Sequence, residues 1–383
     1  MEHCDKGVSN NFFLRWLTTY AKDKGNNSVT RGMASTSIDL DVISNLTPNM
    51  VRPYLPFDGR IVCYGCGKMC RALHADYVMC CFQCGELFRK MRTLSRDLTG
   101  YIAFVTGGRT KLGHQVVKKL LRAGAKVYAT TRRPKEANDL FMLYEDSNVW
   151  CDRLRFFELD LNVSNLEEVL KSIRDKILEN DDHIDLLINV AAQTIGLRDN
   201  AMYSLYPTNN KDMNRYGDMA SGPSGRDNCW NKTLIDVNQS LMESVFRINA
   251  IAPALIIKTM FLLLKNSPIN RPRIINTHAR EGLFSVRKTP RHIHTNMGKA
   301  ALHMLTLCLG REKIMTHAGV KIAIHGIDPG WISIDEYGMK ERPFDVPPID
   351  EIDGAARLLY PVFKSSTGFG SGKTVRHYYK YCI

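Results

Sequence analysis

Residues 104–114 constrain this chain more than any other stretch: an apolar run ends at Thr106-Gly107-Gly108, and an amphipathic pattern begins four residues later. The run over 101–105 has the length of a buried strand, and residues 112–123 repeat with helical period until Gly124 interrupts them. A strand, a glycine turn and a helix in that order present backbone N–H groups at a helix N-terminus, where a pyrophosphate can be held. A turn with no ligand has the same local pattern, so the downstream sequence has to decide.

Three further strands follow. The one at 126–130 leads into Thr131-Arg132-Arg133, with no acid at its tip to accept the adenosine ribose hydroxyls. Two guanidinium groups there suit a 2′-phosphate, which they pair as planar forks, so NADP(H) is predicted over NAD. The alternative is a pair of solvated loop arginines. The strand at 154–159 leads into Asp160, and the one at 184–188 into Asn189-Val190-Ala191-Ala192.

By this point the chain resembles the short-chain dehydrogenase/reductase superfamily, over roughly residues 100–365. Thr106, Gly107 and Gly113 are similar to its TGxxxGxG turn, with Lys111 in place of the middle glycine. Asn249 resembles the central-helix Asn, and Asp328-Pro329-Gly330-Trp331 the turn beside the nicotinamide. The resemblance implies an α/β fold, a Rossmann-like doubly wound parallel sheet, and hydride transfer between NADP(H) and a small carbonyl/alcohol pair. It also implies cofactor contacts. Thr106, Gly107, Arg109 and Gly113 would form the turn, Asp160 and Asn189 would hold adenine and the neighbouring ribose, and Lys299 would hold the nicotinamide ribose beside Pro329 and Gly330. Pairing of subunits into a homo-oligomer is a further implication.

The family's catalytic set departs here. Its reductases use a Ser, a Tyr and a Lys four residues after the Tyr, which places the last two on one helix face. Aligning Asn276 and Gly282 puts Ala279 at the Ser position, while Lys299 matches the Lys and Thr295 occupies the Tyr position. A phenol ionises near ~10 and an aliphatic alcohol does not ionise in a usable range, so Thr295 cannot serve as the same acid. It is left to orient a substrate or to cap the helix. His278, His292 and His294 flank the altered positions, and histidine titrates near ~6.5, which makes His294 a candidate proton carrier beside Asn249 and Lys299. The ordinary reading of these histidines is as solvated residues of a basic surface loop. An uncharacterised subgroup of the superfamily is more similar still: it has a like His-Thr-Asn-Met-x-Lys-Ala-Ala stretch without the Tyr, a like Asp353-Gly-Ala-Ala-Arg357 segment and a cysteine module ahead of the first strand. The alternative to an oxidoreductase is a non-catalytic sensor or scaffold that keeps the cofactor fold.

Six of eleven cysteines lie between Cys63 and Cys84. Cys63-x-x-Cys66 and Cys81-x-x-Cys84 have the spacing of a structural zinc site, closed by four thiolates, with Cys70, His74 and Cys80 as substitutes for one ligand. Free thiols in an unstructured arm are the alternative. The cysteines are too few for a disulfide scaffold, Cys308 falls in a predicted core helix, and no apolar leader follows the first residues, so a reduced, cytoplasmic setting is predicted.

The net charge of +13 is concentrated: residues 89–135 hold thirteen Lys or Arg against the single acid Asp97. That stripe is read as a funnel for a phosphorylated nucleotide. A nucleic-acid footprint is the other reading, weakened by sparse aromatics. The predicted organisation is an extension over 1–55, a Cys-rich zinc module over 56–97 and a Rossmann-like domain over 98–383. In the extension, Phe12, Phe13, Trp16, Leu17 and Tyr20 share a helical face ahead of a polar linker at 22–37. A polar insertion at 204–230 reads as a lid or a surface loop, and 341–353 as the substrate-side loop. The most apolar run, 251–264, is broken by Lys258 and too short to span a membrane, so a buried helix is predicted.

Overall fold

The computed structural model describes residues 54–77, 79–193, 232–312, 316–317, 320–332, 348–364 and 370–381. The helix and linker expected within 1–55, the insertion at 204–230 and most of the loop at 341–353 lie outside them. The chain divides into two compact units, crossing between them after Leu94, Pro329 and Ala356.

The first unit is small. Strands β1 (Tyr54–Val62) and β2 (Met69–His74) form an antiparallel pair, and helix α1 (Phe82–Arg92) follows. Buried Phe88 and Met91 supply the apolar face of α1. At the far end of α1, Arg92 donates twice to Asp350, at 2.7 and 2.9 Å, and lies 3.0 Å from Asp353. The Tyr77 hydroxyl donates to Asp353 at 2.8 Å. Asp353 is fully buried, so the Tyr77 hydrogen bond and the Arg92 ion pair help make its charge tolerable there.

The second unit is the doubly wound sheet. Its elements in chain order are β3 (Ile102–Thr106), α2 (Lys111–Arg122), β4 (Lys126–Thr131), α3 (Pro134–Met142), β5 (Leu154–Glu158), α4 (Leu166–Leu178) and β6 (Leu186–Asn189). After them come α5 (Gln239–Phe246), α6 (Ala252–Lys265), β7 (Arg273–Thr277), α7 (Ile293–Leu309), a short β8–β9 hairpin (Thr316–His317, Val320–Lys321) and β10 (Ala323–Asp328). Helix α8 (Glu351–Phe363) belongs to the first unit up to Ala356 and to the second from Arg357, and β11 (Lys373–Arg376) and β12 (Tyr379–Tyr381) complete the second unit.

The strands lie in the order β12-β11-β10-β7-β6-β3-β4-β5, and all neighbours are parallel except β11 and β12. The chain winds outward from β3 to β5 and then returns to β6 on the other side. The strand order therefore reverses between β3 and β6, which opens a crevice at their C-terminal ends. Every residue of β3 and β6 is buried, as central strands covered on both faces require. The sheet also extends past the span of the sequence resemblance. His377 and Tyr378, at φ +49° and +71°, form a two-residue hairpin that adds β12 as an antiparallel edge.

One face of the sheet packs against α4 and α6 through Leu170, Ile173, Ile256, Met260 and Leu263. Helices α5 and α6 run together over Gln239–Lys265, because a single turn of π-helix, Arg247–Ile251, joins them. The resulting 27 residues are long and apolar enough by length and composition to cross a membrane, which corrects the expectation that no segment reaches that length. Most of the apolar positions, among them Ile256, Met260 and Leu263, pack into the core of the sheet, while Leu262 is exposed and exposed Lys258 pairs with Glu167 at 2.9 Å.

Candidate functional site

The turn at the tip of β3 is held by its own side chain. The Thr106 hydroxyl oxygen accepts from the N–H groups of Val190 and Ala191, at 3.0 and 3.1 Å, and so ties β3 to the end of β6. Gly107 has φ +73°, and a Cβ on it would stand 3.0 Å from the Cα of Ala191. A Cβ on Gly113 would stand 2.0 Å from the carbonyl oxygen of Gly107, so only glycine lets α2 start against the turn. Lys111, in place of the family's middle glycine, keeps a glycine-like backbone at φ +49°. Holding a lysine there costs about 1–2 kcal/mol and adds a cation where the helix begins.

Two of the basic residues, Arg109 and Arg133, meet beside this turn. Buried Arg109 reaches Glu136 at 3.3 Å, and Arg133 reaches the other oxygen of the same carboxylate at 3.2 Å. Arg132 is half-buried at the end of β4. Asp160 is exposed, its carboxylate accepting from the N–H of Asn162 at 2.9 Å. The Asn189 amide donates to Asn276 at 2.9 Å, and its oxygen is buried without a hydrogen-bond partner.

Of the two positions where the resemblance expects a Ser and a Tyr, Ala279 lies just after β7, and Thr295 lies on α7 with Lys299. Lys299 is buried and donates to the carbonyl of Thr277 at 2.9 Å, and loss of solvation brings its ammonium down to about 8. Thr295 is also buried, one turn earlier, and its hydroxyl has no hydrogen-bond partner. The capping role left open for Thr295 is not the one it has. The cap residue is His292, in a left-handed conformation at φ +43°, and Thr295 stands inside the first turn. Asn249 lies in the π-turn, where its side chain accepts from the N–H of Gln193 at 2.9 Å and donates to the Gln193 carbonyl at 2.5 Å. Both contacts pin the chain that leaves β6. Asp328, at the end of β10, faces Arg376 at 3.4 Å; Pro329 follows, and Gly330 turns the chain with φ +89°.

The histidines depart from the expectation of a solvated loop. His278 and His294 are both 1% exposed, because one is carried on the end of a central strand and the other on the inner face of α7. The ring of His278 is held between the hydroxyls of Thr374 and Thr306, at 3.1 and 2.8 Å, and stacks on His303 with centroids 3.8 Å apart. A Cβ on Gly326 would stand 1.9 Å from that ring. Burial holds His278 well below the ordinary histidine range and His303 at about 4, so both are neutral at pH 7. Thr306 also accepts from Asn276, which links the pair to Asn189. Sequence reasoning passed over His303; its one signal was a spacing of four from Lys299.

In the first unit, Cys63, Cys66, Cys81 and Cys84 come together with all four Sγ atoms within 4.8 Å of one another. Gly67 donates to the Cys63 carbonyl at 2.8 Å, closing the first knuckle, and a Cβ on Gly65 would stand 2.8 Å from that of Cys84. Cys81 caps α1, and its N–H donates to the Cys63 sulfur at 3.2 Å. The Cys63 thiol lies far below the ordinary thiol range because Cys80, Cys81 and Cys84 donate to it, and Cys84 is pushed far up in return. A tetrahedral zinc with bonds near ~2.3 Å needs sulfurs roughly 3.8 Å apart, so a small contraction of this set fits the ion. His74 is not a substitute ligand: one ring nitrogen meets Glu86 at 2.8 Å and the other accepts from the N–H groups of Asp76 and Tyr77. Cys80 is buried outside the four, and the side chain of Cys70 lies outside the described residues. Cys308, expected in the core, is on the exposed side of α7.

Residues 101–213 match the family model described as short chain dehydrogenase. A protein of Acanthamoeba polyphaga mimivirus, "Uncharacterized protein R665", is 34% identical over 336 residues, 79% of this chain and 71% of its own length. Among solved structures, a short chain dehydrogenase from Shigella flexneri superposes with a TM-score of 0.56 at 15% identity, over 75% of this chain and 95% of that one. Another, from Shigella flexneri 2a and complexed with NADP, gives 0.55 at 15% identity, over 74% and 99%. The strand order, with its reversal between β3 and β6, is therefore that of a Rossmann-type fold. Within that class the chain belongs to the short-chain dehydrogenase/reductase superfamily.

Two outcomes follow from the site. Gly326→Ala should lower stability by about 1–3 kcal/mol in urea unfolding, and His278→Ala in the same chain should recover most of that loss. Lys299 has its folded value depressed, so its charge is a cost to the fold that is fully present below about 8 and relieved as the pH rises from there towards 10.5. Lys299→Met should therefore stabilise the free protein by about 1–3 kcal/mol at pH 7, with the gain fading above pH 8 in thermal melts.

Proposed function

We propose that the second unit binds NADP(H) and performs oxidation or reduction of a small carbonyl/alcohol pair. The observation that carries the binding is the meeting of Arg109 and Arg133 on a single carboxylate beside the Thr106–Gly113 turn. Two guanidinium groups already gathered around one anion suit a 2′-phosphate. The NADP complex of the Shigella flexneri 2a relative is in keeping with this.

In this reading Thr106, Gly107 and Gly113 shape the turn for the pyrophosphate, with Lys111 adding charge at the start of α2. Arg109, Arg132 and Arg133 take the 2′-phosphate, while Asp160 and Asn189 hold adenine and the neighbouring ribose. The buried, unpartnered oxygen of Asn189 is an acceptor still to be filled. Lys299 would turn from the Thr277 carbonyl to the nicotinamide ribose, beside Pro329 and Gly330. The nicotinamide, when bound, supplies or accepts the hydride. Thr295 would orient the substrate oxygen with its unpartnered hydroxyl. His294 and Asn249 stand in support of proton movement, the former through its ring and the latter by fixing the chain after β6.

A second reading has its own observation. Ala279 and Thr295 leave no side chain of the usual kind to give the proton, which suits a sensor or scaffold that binds the nucleotide and does not turn it over. In the first unit, Cys63, Cys66, Cys81 and Cys84 would hold zinc, and four protein ligands leave no open position, so the ion would be structural.

Fluorescence titration should give tighter binding of NADPH than of NADH, and a panel of carbonyls and alcohols on the same sample should give turnover. Binding without turnover would favour the sensor, and binding of neither nucleotide would sink both readings. Elemental analysis should return one zinc per chain, lost in Cys81→Ser together with stability. A metal-free protein with all thiols titratable would refute the zinc site.

A further inference from the structure

We propose that Glu136 is a built-in competitor for the anion site, an internal carboxylate that occupies the arginine clamp until a 2′-phosphate displaces it. This rests on the NADP(H) reading above and assigns a residue that sets how strongly the site prefers the phosphorylated nucleotide.

Pro134 begins α3, which places Glu136 in its first turn, where the free N–H groups of the helix favour a negative charge. From there the carboxylate meets Arg109 through one oxygen at 3.3 Å and Arg133 through both, at 3.2 and 3.4 Å. The partners come from different places in the fold: Arg109 from the glycine turn after β3, and Arg133 from the end of β4. Glu136 is thus the group on which the two halves of the clamp converge.

Burial sets the balance. The Arg109 side chain is only 7% exposed, so a guanidinium there needs an anion close by. Glu136 is 40% exposed, so its own hold is weakened by solvent and it can swing out at modest cost. A phosphate monoester carries nearly twice the charge and three acceptor oxygens, and would win this exchange. Once it is bound, a carboxylate left in place would repel it, so the side chain has to leave. A nucleotide lacking the 2′-phosphate gains nothing by expelling Glu136. The competitor therefore taxes the two nucleotides differently.

The test compares the full chain with Glu136→Gln and Glu136→Ala, titrating each with NADPH, NADH and 2′,5′-ADP. The inference predicts that both variants bind NADPH and 2′,5′-ADP about tenfold more tightly than the unaltered chain, with NADH changed less than about twofold. Glu136→Asp, which shortens the carboxylate, should fall between. Thermal melts of each variant without nucleotide check that the fold is kept. NADPH binding that is unchanged or weaker in folded variants would overturn the competitor role while leaving the NADP(H) reading intact. Weaker NADH binding would overturn it too, by making Glu136 an acceptor for ribose hydroxyls. If no chain binds NADPH or 2′,5′-ADP, the function reading fails and the competitor with it.

Discussion

A Cβ at Gly113 would stand 2.0 Å from the Gly107 carbonyl oxygen, so helix α2 can lie against the tip of β3 only because that carbon is missing. The close approach has several dependants. It sets the N-terminus of α2 over the switch point between β3 and β6. It brings Arg109, on the turn itself, within reach of the residues that follow β4. It leaves the Thr106 hydroxyl pointing across to the backbone of Val190 and Ala191, which fixes where the chain leaves β6. Lys111 shows how strictly the backbone is prescribed here, since the left-handed conformation persists although the residue suited to it has been replaced.

Much of this was legible in the sequence. Glycine turns, strand ends and helix stops are local properties, and local steric rules write them into short stretches of chain. The cysteine pairs were equally plain, because each knuckle needs a fixed spacing to bring two sulfurs to one point. The pairs at 63/66 and 81/84 do converge. Asp353, known at first only as part of a resemblance, acquires a physical reason: it is buried, accepts from Tyr77 and is ion-paired with Arg92.

The features that were not legible depend on residues far apart in the chain. The burial of His278 requires a glycine at 326 and hydroxyls at 306 and 374, and nothing near 278 announces any of them. The π-turn around Asn249 interrupts an apolar pattern that reads as ordinary helix, because one inserted residue per turn leaves no compositional mark. The edge strand β12 depends on two residues that take positive φ without being glycine, so the usual hairpin signal was missing. The same π-turn is why the helix over Gln239–Lys265 was read only over 251–264: the pitch changes within a continuous element.

The fit between His278 and Gly326 bears on how such a site could have arisen. A ring held 1.9 Å from where a Cβ would be cannot enter the fold before the opposing strand has a glycine, whereas the glycine alone leaves only a small gap. The order of change is therefore one-way: glycine first, imidazole second. Once the imidazole is in place, the glycine can no longer drift to another residue without cost. The pair works as a ratchet, holding a lineage to glycine at 326 for as long as the imidazole stays.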